Sequence, residues 1–166
     1  MKTTVVPLSE SHFQQLHAVA DVVARERRYL AMTQAPPLEE AIAFYRSVLA
    51  GGQCHVALQN EKLVGWCDIL PSFGEARRHV GTLGIGLLPG ARGQGVVWQL
   101  MSAAIARAWA RGLSRIELTV REDNERAKAL YDRLGFKDEG VRERSMLVDG
   151  KYFNSYSMAL LRRDDA

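Results

Sequence analysis

Gly84-Ile85-Gly86-Leu87-Leu88-Pro89-Gly90-Ala91-Arg92-Gly93-Gln94-Gly95-Val96-Val97-Trp98-Gln99-Leu100 is the stretch that decides how this chain folds. Its first residues close a strand expected from His79 to Leu88, which carries three glycines, Gly81, Gly84 and Gly86. Glycine weakens a strand, so three of them predict a bulge or the close approach of another backbone or a ligand. Pro89 to Gly95 then form a glycine-rich turn into the most regular helix of the sequence. There Val97, Leu100, Met101, Ala104, Ile105, Ala108 and Trp109 repeat at i, i+3, i+4 spacing, and Gly112 ends the run. Successive N–H groups at a helix start lack backbone acceptors, and the helix dipole adds partial positive charge, so the turn suits an anion. Arg92 adds a full positive charge beside it. Two nucleotide motifs fail on spacing. A P-loop needs Gly-Lys-Ser/Thr where Gly95-Val96-Val97 stands, and a dinucleotide fingerprint needs a glycine where Trp98 stands.

On the N-terminal side, a short strand at Thr3 to Val6 precedes a first helix that Ser9 can cap and Leu8 can staple against Phe13. Phe13, Leu16, Ala20 and Val23 form its buried stripe. Pro36-Pro37 opens a second helix with Leu38, Ala41, Ile42, Tyr45, Val48 and Leu49 inward, and Gly51-Gly52 ends it. Strands at His55 to Leu58 and Leu63 to Leu70, joined through Asn60-Glu61-Lys62, read as an antiparallel hairpin. Pro71 to Arg78 is a loop. On the C-terminal side come a strand at Arg115 to Val120 and a short helix capped by Asn124 and ended by Gly135. A last hairpin follows, Val141 to Val148 and Tyr152 to Leu160, turning at Asp149-Gly150. The expected fold class is α/β (α+β): a mixed, mostly antiparallel sheet flanked by helices on both faces. Residues 1–166 read as a single domain, with no repeat, linker or low-complexity tract.

Composition fits that reading. Of the 166 residues, 47% are hydrophobic and 25% charged, proportions that sustain one full core. No apolar run approaches the roughly 20 residues of a membrane span, so no membrane partner is expected. The N-terminus lacks a secretory pattern, which makes cytoplasmic the expected location. Cys54 and Cys67 lie in strands at a spacing that fits neither a redox pair nor a zinc framework, and they read as small buried hydrophobes. No metal is expected. The net charge of +3 suits an anionic ligand, but the basic residues are scattered, without aromatics on a basic strand face, so no nucleic-acid partner is expected.

The turn resembles the coenzyme A pyrophosphate signature Q/R-x-x-G-x-G/A of the GCN5-related N-acetyltransferases, the GNAT superfamily. Arg92-Gly93-Gln94-Gly95-Val96-Val97 occupies it, with Val97 in place of the family's Gly or Ala. Asn124 to Phe136 is similar to the family's N-x-x-A-x-x-L-Y-x-x-x-G-F, and every fixed position matches. Glu139-Gly140 through Met158, with Asp149-Gly150-Lys151-Tyr152-Phe153, looks like bacterial members that act on small amines or amino acids. The likeness runs from Val64 to Leu160, while the N-terminal third, which shapes the acceptor site in this family, matches only in layout. The resemblance implies the GNAT fold, acetyl-CoA as co-substrate, coenzyme A contact through Asn124, and Tyr131 beside the thioester sulfur. Many members pair as homodimers, and no interface is marked in the sequence.

Acyl transfer to an amine needs a neutral nitrogen, a polarised carbonyl, in-line placement and a protonated leaving thiolate. Backbone N–H groups near Ile85, Gly86 or Leu87 are the candidates for polarising the carbonyl. The expected cofactor set is completed by Arg92, Gly93, Gln94, Gly95, Val96, Val97, Trp98 and Asn124. Tyr131 is the expected general acid, although Ala127, Leu130 and Leu134 at helical spacing would equally suit a packed tyrosine. Some relatives carry a glutamate at the position of Thr119, and Glu117 lies two residues earlier on the same strand face, which makes it the candidate base through water. Glu26 and His79 are further candidates, and Trp66, Trp98 and Trp109 read chiefly as packing. The acceptor stays open among a small amine or amino acid, a protein N-terminus or lysine, and a drug. A non-catalytic acyl-CoA-binding module is the main rival.

Overall fold

The computed structural model describes residues 1–163. Eleven principal elements follow the expected order: β1 (Thr3–Pro7), α1 (Phe13–Arg25), α2 (Leu38–Gly51), β2 (Gln53–Gln59), β3 (Lys62–Pro71), β4 (Val80–Leu87), α3 (Val96–Ala110), β5 (Arg115–Arg121), α4 (Glu125–Arg133), β6 (Lys137–Val148) and β7 (Lys151–Leu161). The seven strands form one sheet in the order β1-β2-β3-β4-β5-β7-β6. Every pairing is antiparallel except β4 with β5.

Each strand alternates sides, and the sheet therefore carries two cores. Cys67 and Ile69 of β3 join Leu100, Met101 and Ala104 of α3 on one face. Leu63 and Trp66 of the same strand join Phe13, Leu16 and Val23 of α1 and Tyr45 of α2 on the other. Leu100, Met101, Val23 and Ile69 are almost wholly buried, and each such side chain contributes about 2 kcal/mol relative to exposure. Trp109, Ile105 and Val97 pack against the α3 core as partly buried residues. Both cysteines are buried and free, and burial pushes their thiols up, away from a nucleophilic thiolate.

Several boundaries differ from expectation. A single turn of 3-10 helix, Glu10–His12, precedes α1, with the Ser9 N–H donating to His12 Nδ1 at 3.1 Å. Leu8 and Phe13 are both buried in one cluster, in keeping with the staple. Strand β6 starts earlier than predicted, at Lys137, because two irregularities in its pairing with β7 let the chain continue where alternation is interrupted. Asn60-Glu61 and Asp149-Gly150 both turn with two positive φ values, as tight hairpins require.

The glycines of β4 are there for a different reason than a bulge. The β3–β4 register is continuous from Gly65↔Leu87 to Pro71↔Gly81. What approaches is side chain: a Cβ on Gly86 would lie 2.2 Å from the Trp66 ring, and one on Gly84 would lie 3.0 Å from the Asp68 carboxylate.

Candidate active site

Strands β4 and β5 pair only from Val80↔Arg115 to Thr82↔Glu117 and then diverge. The gap opens into a cavity of about 1310 Å³ walled by Leu83 to Leu87 of β4, Leu118 to Arg121 of β5, the glycine-rich turn and α4. Its far wall is the segment after α1, Arg28 to Ala31. That segment is drawn over the gap because the chain leaves α1 through Arg27 in the left-handed region (φ 57°), whose carbonyl accepts from Arg121 at 2.9 Å. Arg121 is itself buried, paired with Asp123 at 2.7 Å and stacked 3.9 Å over the Phe153 ring.

The turn forms a cradle whose geometry suits an anion. Gly93 and Gly95 adopt φ of 78° and 76°, open to glycine at little cost. The first bond of the helical ladder is Gln99 N–H to the Gly95 carbonyl at 3.2 Å, so the N–H groups of Gly95 through Trp98 have no acceptor among the described residues. Four consecutive donors therefore stand free at the positive end of α3. Arg126 and Arg133 of α4 stand on the same cavity. The Arg126 guanidinium lies over Gly93, and that of Arg133 lies 5.6 Å above the Trp98 ring. Both were hidden in variable positions of the second motif, where only their seven-residue spacing on one short helix hinted at a shared face.

Ile85, Gly86, Leu87, Arg92, Gly93, Gly95, Val96, Val97, Trp98 and Asn124 all line this cavity. Gln94 does not: its side chain turns back to the Gly90 carbonyl at 3.0 Å and to Gln59 at 3.1 Å. The charge of Arg92 is also otherwise engaged. Its guanidinium forms a two-point pair with Glu26 (2.9 and 2.6 Å), donates to the Leu87 carbonyl at 2.8 Å and stacks 4.6 Å over Tyr29. It fastens the turn to the end of α1, and Glu26 is its counterion. Val97 packs its side chain against the α3 core, so the branched residue is accommodated beside the cradle.

Asn124 caps α4 through its Oδ1, which accepts from the Ala127 N–H at 3.3 Å. Tyr131 projects from α4 to the cavity and is otherwise enclosed, 6% exposed, with its ring 6.1 Å from Phe136. Burial pushes its phenol up, which keeps it protonated and able to donate. The strand ladder separates the three carbonyl-polarising candidates. Leu88 N–H donates to the Val64 carbonyl at 2.8 Å, and two-residue alternation turns Gly86 the same way. The N–H groups of Ile85 and Leu87 then face the side from which β5 has departed.

Glu117 is not brought into the cavity. It sits where β4 and β5 are still paired, bridged to Arg115 at 2.8 Å and Arg77 at 2.7 Å. Arg115 first, and Arg77 with it, hold its carboxyl below the usual range, the reverse of what a base needs. Thr119, one pleat on, does line the gap. His79 lies before β4, and its carbonyl accepts from Ser114 N–H at 2.9 Å. Sequence reasoning also missed Asp68, because a lone carboxylate within an apolar strand carries no local pattern.

A second cavity, of about 410 Å³, lies between α1, α2 and the sheet and shares Leu30, Ala31, Gly84 and Ile85 with the first. Trp66 and Asp68 form part of its floor. Among the described residues no helix is long and apolar enough to cross a membrane.

Known proteins share this arrangement. Over 109 residues the chain is 36% identical to the L-amino acid N-acetyltransferase AaaT of Escherichia coli K12, an alignment covering 64% of this chain and 67% of that protein. Its fold matches a GNAT-family acetyltransferase of Streptococcus pneumoniae with a TM-score of 0.90 and 26% identity, covering 97% of this chain and all of the other. It matches yncA of Salmonella typhimurium, solved with acetyl-CoA, with a TM-score of 0.90 and 16% identity, covering 99% and 96% of the two chains. With residues 16–136 matching the acetyltransferase (GNAT) family, on the elements that build the splayed strands and the cradle, the chain belongs to that family of enzymes.

Proposed function

We propose that the protein transfers the acetyl group of acetyl-CoA to a primary amine of a small molecule or amino acid, by direct attack in a ternary complex. The observation that carries this is the continuity of the gap between β4 and β5 with the four free N–H groups at the start of α3. A pyrophosphate on the cradle sends its pantetheine arm into the gap, where the backbone donors that β5 has left free are presented. Arg126 and Arg133 add positive charge on the phosphate side.

The thioester carbonyl accepts from the Ile85 N–H, with the Leu87 N–H on the same side. One such donor aimed at a developing oxyanion contributes about 3 kcal/mol. The neutral amine nitrogen attacks the carbonyl carbon, the C–N bond forms, the C–S bond breaks, and the surplus proton on nitrogen leaves to water. Tyr131 donates its proton to the departing sulfur and is reprotonated from the solvent-connected cavity. Likeness to an L-amino acid acetyltransferase favours a small acceptor over a protein chain.

Calorimetry with acetyl-CoA tests the cofactor half. Micromolar binding by the native protein and its loss in Gly95→Trp, which fills the cradle, are expected. Tyr131→Phe then retains binding and loses about 100-fold in kcat. A folded protein that binds no acetyl-CoA overturns the proposal.

A further inference from the structure

Acetyl-CoA held between β4 and β5 leaves the second cavity without a role, and any role for that cavity as an acceptor site rests on the proposed acetyl transfer. Its walls come from both helices of the opposite face: Leu16 of α1, Phe44 and Tyr45 of α2, and Trp66 of β3. Into this apolar chamber a single carboxyl group is set, that of Asp68, directly across the strand pair from Gly84. Gly84 and Ile85 belong to both cavities, so Asp68 stands at the junction between them. No basic side chain lines the chamber among the described residues. A carboxylate among apolar walls, with no cation of its own, is complementary to an ammonium carried on an apolar body.

We infer that this chamber is the acceptor pocket, that it takes aliphatic or aromatic primary amines without an acidic group on the body, and that Asp68 receives the amine nitrogen. Two links support this beyond charge. The missing side chain at Gly84 leaves the carboxylate room against β4, since a Cβ there would meet Asp68 Oδ1 at 3.0 Å. Burial also pushes the carboxyl up to about 7, while the Trp66 indole and the Gly84 N–H partly offset that rise, so the group can exchange a proton near neutrality. The other titratable groups facing it are Tyr45 of α2 and Cys54 of β2, both raised by burial, while α1 and β4 present only apolar residues and glycine.

The proton balance closes. The ammonium arrives as R–NH3+, gives one proton to the ionised Asp68 and becomes neutral. Its lone pair forms the C–N bond as the C–S bond breaks. The second nitrogen proton leaves to water, the thiolate takes a proton from Tyr131, Asp68 returns its own to solvent, and Tyr131 takes one back, so one proton is released per turnover.

The test uses acetyl-CoA calorimetry together with initial rates on propylamine, pentylamine, heptylamine, phenethylamine and L-aspartate, for the native protein and Asp68→Asn. We expect kcat/KM to rise roughly tenfold for each two methylenes added, with phenethylamine accepted and L-aspartate rejected. Asp68→Asn should keep acetyl-CoA affinity, lose about 100-fold in kcat/KM for every amine and lose the acid limb of the pH profile. Rates that ignore chain length, L-aspartate used as well as heptylamine, or an active Asp68→Asn enzyme with an unchanged pH profile would each overturn the assignment. Acetyl-CoA binding without transfer to any of these amines overturns the acceptor pocket alone; no acetyl-CoA binding overturns the cofactor site as well.

Discussion

The two faces of the sheet meet at the gap between β4 and β5, and they make their sites from different material. On the α3 face the cradle is chiefly backbone: four free N–H groups, two glycines in the left-handed region and a helix end, with Arg126 and Arg133 beside it. On the α1–α2 face the second chamber is side chain: one carboxylate and apolar groups drawn from five elements far apart in sequence. Backbone recognition suits a ligand portion that never changes, such as a pyrophosphate. Side-chain recognition can be altered one residue at a time without disturbing the cofactor.

The largest expected effect probes the chamber. In the folded chain Asp68 holds a proton up to about 7, whereas the unfolded chain releases it near pH 4, so stability falls as pH rises between those values. Asp68→Asn removes that penalty. In urea melts it should exceed the native protein at pH 8 by as much as about 4 kcal/mol, with the gap closing by pH 4. An unchanged difference across that range would mean the carboxylate is not desolvated.

Next comes a paired substitution that sets the two kinds of site against each other. Gly86→Ala drives a methyl into the Trp66 ring and should cost about 3 kcal/mol, read as a fall in Tm. Gly95→Ala meets open space and pays only for its left-handed backbone, about 1 kcal/mol. Equal losses would erase the distinction between steric and conformational need for glycine.

The smallest effect concerns Glu117. Its depressed carboxyl contributes stability that is present above its unfolded value near pH 4.3 and is lost as pH falls through the folded value. Glu117→Gln should lower stability at pH 7 by no more than about 1 kcal/mol, since the pair is partly solvated, and leave acetyl transfer unchanged. A large loss of kcat would restore it as a base.

These differences also explain what the sequence disclosed. The cradle depends on contiguous residues, Arg92 to Val97, so a short motif carries it, and the periodicity of α3 carries the core behind it. The element order was legible for the same reason: caps, turns and alternation act over a few residues. Glu117 was misleading because sequence shows its strand face but not that Arg77, forty positions away, would reach it. Arg92 was read as a free charge because its partner Glu26 lies sixty-six positions upstream. Asp68 was missed since its meaning comes from Tyr45, Cys54 and Gly84, gathered only by folding.

The grip of Arg92 on Glu26 and Tyr29 has a thermodynamic consequence. Tyr29 is followed directly by Leu30 and Ala31, the wall common to both cavities. A load placed on the turn is thus passed through one guanidinium to the wall that the two cavities share. Linkage between two such sites is reciprocal: whatever factor acetyl-CoA lends to amine affinity, the amine returns to acetyl-CoA.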